Sequence, residues 1–155
     1  MARVYAAQFN AVAVTAQQDL FEVNVASTKA VKIHSVHISQ VTKSGDANEA
    51  ELAILFKSGQ TTSGSGGSTP TAVPRALGDS AYAGTVEANN TTKATSGTIV
   101  THDARNWNIR VPFDIYWPPD QRIELAPSAR FTVELATTPG SSTTMSGTIV
   151  LEEIG

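Results

Sequence analysis

Apolar and polar residues alternate along much of this chain, and the clearest example is the run from Asn106 to Trp117. Large apolar residues occupy every second position of the run: Trp107, Ile109, Val111, Phe113, Ile115 and Trp117. Successive side chains of a β-strand point to opposite faces of the sheet. The run therefore predicts one long strand that directs six apolar groups to one core. Pro118-Pro119 should end this strand, because proline has no backbone donor.

The same two-residue period marks further short strands. Their apolar positions are Phe21 to Val25, Val31 to Ile38, Leu52 to Phe56, Val86, Ile99, Ile123 to Leu125, Phe131 to Leu135 and Met145 to Leu151. The apolar phase slips by one residue near His34 and Ser35, which predicts a β-bulge. About 8–10 short antiparallel strands separated by turns predict an all-β protein with a jelly-roll-like β-sandwich.

One segment also fits a helix. Asp46 could cap it, with Glu49 three residues later, and residues 47–57 are rich in helix formers before Gly59. The apolar positions from Leu52 to Phe56 fit a two-residue period better than a helical one. We therefore expect a strand here, with the helix as the alternative.

The segment from Ser58 to Thr71 is rich in glycine, serine and threonine, which predicts a flexible loop. A loop this long in a compact domain is commonly functional or disordered. It would then lie across a partner subunit, reach outward, or be an idle surface loop; Met1 to Gln8 are a second candidate for reaching a neighbour. Deleting Ser63 to Ser68 should accordingly weaken assembly or partner binding more than folding. Residues 89–96 and 137–144 are also polar and predict loops.

Length and composition limit the possible classes of protein. With 155 residues and 41% hydrophobic content, the chain can bury one sizeable core, so residues 1–155 are expected to form a single domain. A net charge of -3 gives no basic footprint for nucleic acid or an anionic membrane. Cysteine is absent, which excludes disulfides and thiolate metal sites. No run approaches the roughly 20 apolar residues of a membrane span and no secretory signal is recognisable, so we expect a soluble protein made in a cytoplasm.

The residue types that perform chemistry do not gather at a recognisable spacing. His34 and His37 lie on opposite faces of an unbroken strand; a bulge would bring them closer, but no third ligand is near in sequence. His102-Asp103 resembles a base beside its orienting acid, yet adjacent strand residues point apart and no nucleophile elbow accompanies them.

Three weaker signals also give no support for a catalytic or ligand-binding site. The glycines at 64, 66 and 67 lack the following lysine of a phosphate loop. The sequons in Asn89-Asn90-Thr91-Thr92 carry little weight without a secretory signal. The carboxylate pairs would act as acid and base only if the fold converged them; they are Glu49 and Glu51, Glu152 and Glu153, and Asp114 and Asp120. We expect no catalytic residue, no metal ligand and no cofactor.

Aromatic residues offer a candidate binding surface. Trp107, Trp117, Tyr116 and Tyr82 could form a platform for sugar, but the two-residue period places both tryptophans on the apolar face, where they would pack in the core. Tyr116 on the opposite face is the best aromatic candidate for contact with a partner. Ser96 to Val100 returns as Ser146 to Val150, which is either the remnant of a duplicated half or a coincidence of common strand residues.

Several phrases spread over most of the chain resemble small β-rich virion proteins of tailed bacteriophages, with the capsid decoration or cement proteins as the nearest class. The phrases are Asp19-Leu20-Phe21-Glu22-Val23, Ile33-His34-Ser35-Val36, Gly45-Asp46-Ala47, Gly64-Ser65-Gly66-Gly67, Asn89-Asn90-Thr91-Thr92 and Glu152-Glu153-Ile154-Gly155. The resemblance implies a jelly roll that assembles as a homo-oligomer, often a trimer. It also implies binding to the major capsid protein outside an icosahedral head. It carries over no functional residue.

The leading hypothesis is a non-enzymatic virion structural protein at the capsid surface, with no nucleic acid or membrane as partner. Three alternatives stay open. A carbohydrate-binding β-sandwich would use exposed aromatics; another virion component, such as a tail, head-completion or spike protein, would share the composition; an enzyme has the least support from the residues.

Overall fold

The computed structural model describes residues 2–41 and 50–155, and eleven strands but no helix occur in these two ranges. The strands are β1 (Arg3–Val14), β2 (Gln18–Asn24), β3 (Ala30–Gln40), β4 (Glu51–Thr62), β5 (Val73–Pro74), β6 (Thr85–Asn90), β7 (Thr95–Asn108), β8 (Phe113–Tyr116), β9 (Ile123–Leu125), β10 (Arg130–Leu135) and β11 (Thr143–Ile154). The segments predicted as strands from their apolar period all lie in or beside these elements.

The strands form two antiparallel sheets that pack face to face in a single domain. Sheet A has the order β5-β1-β11-β3-β8, with β9 also paired to β3, and sheet B has the order β6-β2-β10-β4-β7. The chain passes from β1 in sheet A to β2 in sheet B, back to β3, and again to β4. This alternation between sheets is the jelly-roll arrangement, so the predicted fold class is confirmed.

Aromatic contacts join the two inner faces. Phe9 of β1 packs against Phe21 of β2 with ring centroids 5.1 Å apart, and Phe56 of β4 meets the Trp117 ring edge-on at 5.0 Å. A Cβ at Gly147 would lie 2.6 Å from the Phe9 ring, so glycine is needed for this packing. The core is one continuous layer between the sheets.

The prediction of a single strand from Asn106 to Trp117 is wrong. Strand β7 ends at Asn108, residues 109–112 turn, and β8 begins at Phe113 in the other sheet. The apolar positions of the run are nevertheless buried, except Val111, which is 57% exposed. The two-residue apolar period continues across the turn because β7 and β8 face the same core from opposite sides. The Asn108 side-chain oxygen accepts a hydrogen bond from the Arg110 N–H at 3.0 Å, which fixes the turn.

The predicted bulge in β3 is confirmed. Ser35 pairs with Val150 and Ile33 pairs with Leu151, so His34 is the extra residue. Ile33 and Val36 are both fully buried, because the insertion restores a single apolar face.

The segment with the helix alternative forms a strand. Its apolar residues from Leu52 to Phe56 lie in β4 and are buried. The residues proposed to cap a helix, Asp46 and Glu49, lie outside the described ranges.

The predicted boundaries of the glycine-rich loop are wrong. Residues 58–62 belong to β4, since the pairing of β4 with β7 extends beyond the core. Ser65 and Thr92 exchange two backbone hydrogen bonds, of 2.9 and 3.0 Å, and Ser68 exchanges two with Ala88. The segment 63–71, called here the glycine loop, therefore lies along β6 of its own chain.

Two other segments expected outside the sheets are paired within them. Arg3 to Gln8 pair with β11, with Arg3 opposite Glu153, so these residues belong to sheet A of their own chain. In the predicted loop 89–96, only residues 91–94 separate β6 from β7. These four residues cross the end of sheet B and connect its two border strands.

Candidate interaction surface

The borders of the two sheets differ in how far they are covered. In sheet A, β5 has two residues, one of them Pro74, and the other border consists of the short strands β8 and β9. In sheet B, β6 is partly covered by the glycine loop. Strand β7 has fourteen residues and pairs only with β4. Within residues 2–41 and 50–155 it is the longest border strand; the outer side of β1 is paired only at Tyr5 and Ala6. Long uncovered border strands readily accept a further strand.

Most of β7 is exposed to solvent on both faces. Residues 95–106 are exposed, apart from the half-buried Asp103. Ile99 and Val100 are 44% and 50% exposed. We call residues 95–106 the open edge; it is an extended backbone surface that also presents apolar groups.

Two irregularities interrupt the open edge. Asp103 pairs with Phe56 and Thr101 with Lys57, so His102 is a bulged residue. A second irregularity lies opposite Gly59, and the register is continuous only from Asp103 to Asn108. Because bulges twist a strand away from partners, the regular stretch from Asp103 is the part of the open edge best shaped for pairing.

Two charged side chains of the open edge point toward the core side of sheet B. Asp103 and Arg105 stand opposite Phe56 and Ile54, which are fully buried inner-face residues, and directly paired residues share a face. The Arg105 guanidinium donates to the Asp103 carboxylate at 2.9 Å. Arg105 also lines a cleft of about 270 Å³ with Tyr116 of β8. The pair thus lies at the seam between the two sheets.

Tyr116 and Val111 extend this exposed region onto the neighbouring turn and strand. Tyr116 is 63% exposed, as the sequence predicts. Trp107 and Trp117 are buried, as predicted for core residues, and Tyr82 packs against Tyr5 with ring centroids 5.4 Å apart. The four aromatic residues therefore do not form a platform for sugar.

The histidines of β3 bind separate carboxylates. His34 Nε2 lies 2.7 Å from Glu152 Oε2, and His37 Nδ1 lies 2.5 Å from Asp114 Oδ1. The part of the chain that the structure describes holds no group of three histidine or acidic residues suited to a metal ion.

The third histidine contacts a serine. His102 Nε2 lies 2.7 Å from the Ser58 hydroxyl. The carboxylate of Asp103 instead accepts hydrogen bonds from Arg105 and the Ala104 N–H, so it does not orient the imidazole. Within the described part of the chain, no carboxylate completes the Ser–His contact as the third member of a nucleophilic triad.

Among the described members of the proposed carboxylate pairs, three are engaged by other groups. Glu152 accepts from His34 and Arg122, whereas the buried Glu153 accepts the Ala83 N–H at 2.9 Å. Asp114 is engaged by His37. Glu49 lies outside the described residues.

The two sequon asparagines are buried, at 6% and 2% exposure for Asn89 and Asn90. The Asn90 amide donates to Glu22 and Glu87. In this fold neither side chain is accessible to a glycosyl donor.

A buried polar network under the glycine loop could not be found from sequence. Glu22 lies on the outer face of sheet B but is fully buried. Its carboxylate accepts hydrogen bonds from Ser63 Oγ at 2.7 Å, the Gly64 N–H at 2.9 Å and Asn90 Nδ2 at 3.0 Å. It also pairs with Arg130 Nε at 2.7 Å. Glu22 therefore fixes the start of the glycine loop to its own sheet.

Two further buried acidic residues, Asp19 and Glu134, hold the turn between β6 and β7. Asp19 accepts the Ala94 N–H at 2.7 Å, and burial raises the pKa of Asp19 to about 7. Glu134, opposite Asp19 in the register, binds Lys57 at 2.6 Å and Lys93 at 2.9 Å. Burial opposes ionisation of Glu134, but the hydrogen bonds and charges of the two lysines outweigh it and lower the pKa.

Comparisons with known proteins give little further information. No family model matches the chain, and no curated protein matches it. One solved structure with similarity is a chain of the T13 IBDV viral particle; it is 10% identical, with a TM-score of 0.23, and the match covers 99% of this chain and 39% of that one. A TM-score this low establishes no shared fold. None of the described residues forms a helix long and apolar enough to cross a membrane.

Proposed function

We propose that this protein is a non-enzymatic virion structural protein. Specifically, it would be a decoration or cement protein that binds the major capsid protein on the outside of a bacteriophage head as a homo-oligomer. The observation that carries the proposal is the combination of a jelly roll with one long open edge beside the exposed Tyr116. The resemblance of the sequence phrases to phage decoration proteins supplies the class of partner.

The polar groups support a role without chemistry. The described histidines and most buried carboxylates are engaged within the chain, by ion pairs, side-chain hydrogen bonds or backbone donors. Groups engaged in this way stabilise the fold and are not free to act on a substrate. A decoration protein needs a rigid body and a contact surface that favours the assembled shell, because binding only the assembled state stabilises that state by linkage.

The proposal is tested by adding purified protein to expanded phage heads and measuring co-sedimentation and the temperature at which the heads open. We expect the protein to sediment with heads and to raise the opening temperature. Tyr116→Ala should weaken binding, whereas Leu77→Ala, which removes another exposed apolar side chain on a distant turn, should not. If the protein neither sediments with heads nor changes the temperature at which they open, the decoration role is refuted. If the labelled protein is found on the tails of virions and not on the heads, it is a different virion component.

A further inference from the structure

The inward-pointing charges of the open edge restrict which strand can pair with it. Directly opposite side chains of an antiparallel pair lie about 4.5–5.5 Å apart at Cβ. An arbitrary strand added beside β7 would place its own side chains next to Asp103 and Arg105 and remove water from them. Inward charges on a border strand thus act against unselective pairing.

Asp103 and Arg105 already form an ion pair within the chain, and one arrangement also provides each of them with a counter-charge from a second copy. If β7 pairs antiparallel with β7 of a second copy about an axis at Ala104, Asp103 of each copy stands opposite Arg105 of the other. Oppositely charged cross-strand pairs stabilise a sheet, and like charges directly opposite destabilise it. Moving the axis to Asp103 or to Arg105 would place like charges face to face, so the charges also select the register.

The regular part of β7 spans the same register. Its pairing begins at Asp103, after the bulge at His102, and residues 104–106 are exposed before the buried Trp107. The Ala104 N–H donates to Asp103 Oδ1 within the chain, and it is released for the second copy when Asp103 turns to Arg105 of that copy. Ala104 is exposed and small, and its partner in β4 is Leu55 on the outer face. Two copies of a methyl group meet on the axis without a clash.

We propose that the open edge binds the same edge of a second copy of this chain, in antiparallel register centred on Ala104. The contact is isologous, since the same residues serve both copies. It joins sheet B of the two copies into one continuous sheet. A two-fold contact gives a dimer, or a hexamer where it joins two trimers of the kind that the resemblance implies.

Cysteine substitution tests the register directly, because the chain contains no cysteine. Residues facing themselves across an antiparallel pair are within disulfide distance. In a glutathione redox buffer, Ala104→Cys should form a covalent dimer of twice 16.3 kDa. Thr98→Cys is the matched control: it is exposed on the same edge but lies beyond the bulge at His102, away from the axis. Equal linking of the two variants, or linking of neither, would refute the pairing.

Native mass by light scattering tests the charges. The unmodified protein should have an even number of copies at micromolar concentration. Arg105→Asp should lower the mass by placing two carboxylates opposite each other, and the exchange Asp103→Arg with Arg105→Asp should restore it. Thermal unfolding of each variant controls for misfolding. A monomeric or strictly trimeric unmodified protein, or an Arg105→Asp variant of unchanged mass, would overturn the proposal. Binding to phage heads is measured in a separate experiment, so the decoration role and the pairing of the open edges can be refuted independently.

Discussion

At the scale of residues, three carboxylates lie on the outer face of sheet B and yet are nearly inaccessible to solvent. Asp19, Glu22 and Glu134 are 2%, 0% and 8% exposed. Removing an ionised group from water is expensive unless charges and donors compensate it. Each carboxylate has such partners, contributed largely by the glycine loop, the turn at 91–94 and the neighbouring strands. These residues therefore bind surface segments to the sheet.

Replacing Glu22 by glutamine should destabilise the fold strongly. The change leaves Arg130 without its buried counter-charge and turns an amide donor toward Gly64 or Asn90. Breaking a buried pair in this way costs about 3–5 kcal/mol. Chemical denaturation should show this loss, whereas Glu124→Gln, which removes an exposed partner of Lys32, should change stability by less than about 1 kcal/mol. Equal effects of the two substitutions would contradict the role of Glu22.

Asp19 should make the fold less stable as pH rises toward neutrality. Its pKa is about 7 in the folded protein and 3.8 without burial, so between these values the folded state holds a proton that the unfolded state has lost. Stability then falls with rising pH, by up to about tenfold in the folding equilibrium per pH unit. Asp19→Asn keeps an oxygen for the Ala94 N–H and removes the titration.

The free energy of unfolding of both proteins, measured from about pH 4 to pH 8, checks this sign. The wild-type value minus the Asp19→Asn value should decrease between about pH 4 and pH 7 and level off above. The comparison within one pair of proteins cancels the contributions of titrating groups that do not interact with Asp19. A difference that is flat or rises with pH would refute the assignment.

At the scale of elements, the sequence predicts which segments are strands better than where they end. Alternation identifies the inner face of β4 and even the bulge at His34, because burial on one face is a local property. The break between β7 and β8 escapes the same signal, since Trp107 and Phe113 face one core from different strands. Pro112 and the short polar side chain of Asn108 are the local signs of that turn.

The glycine loop is predicted from composition alone. Because composition does not show which residues a segment contacts, the packing of the loop against β6 is not predicted. The glycines of the loop permit close approach to β6, because a Cβ at Gly67 would overlap the Ala88 carbonyl oxygen. Since the loop contacts Glu22 and β6, deleting Ser63 to Ser68 should weaken folding itself, contrary to the expectation from sequence.

Gly67→Ala should therefore lower stability, by roughly 1–3 kcal/mol as for other overpacked sites, because the Ala88 backbone cannot move away without disturbing β6. Gly140→Ala is the matched control, since no atom lies within 4 Å of the position that its added methyl group would occupy, and it should leave stability unchanged or slightly higher. Denaturation midpoints of the two variants measure the difference. Equal midpoints would show that the loop does not depend on this approach.

At the scale of the whole molecule, one core connects both sheets. The sequence predicts this sandwich, but it does not reveal which strand borders a sheet, because that depends on pairings between distant segments such as β4 and β7. The open edge and its inward charges therefore become recognisable only from the topology.

The shared core predicts a single cooperative unfolding transition. Trp107 lies in β7 of sheet B and Trp117 follows β8 of sheet A, and both are buried. Tryptophan fluorescence and far-ultraviolet circular dichroism should consequently give the same midpoint in denaturant. Separate midpoints would mean that the sheets unfold independently.

The pairing of Arg3 with Glu153 also determines when the fold can be completed during synthesis. Strand β11 lies between β1 and β3, so the ribosome must make residues near 153 before the first strand can pair along most of its length. At about 5–20 residues per second, β1 stays without β11 for roughly seven to thirty seconds after it is made. Until residues near 153 have been made, nascent chains of this protein should depend on protection from aggregation.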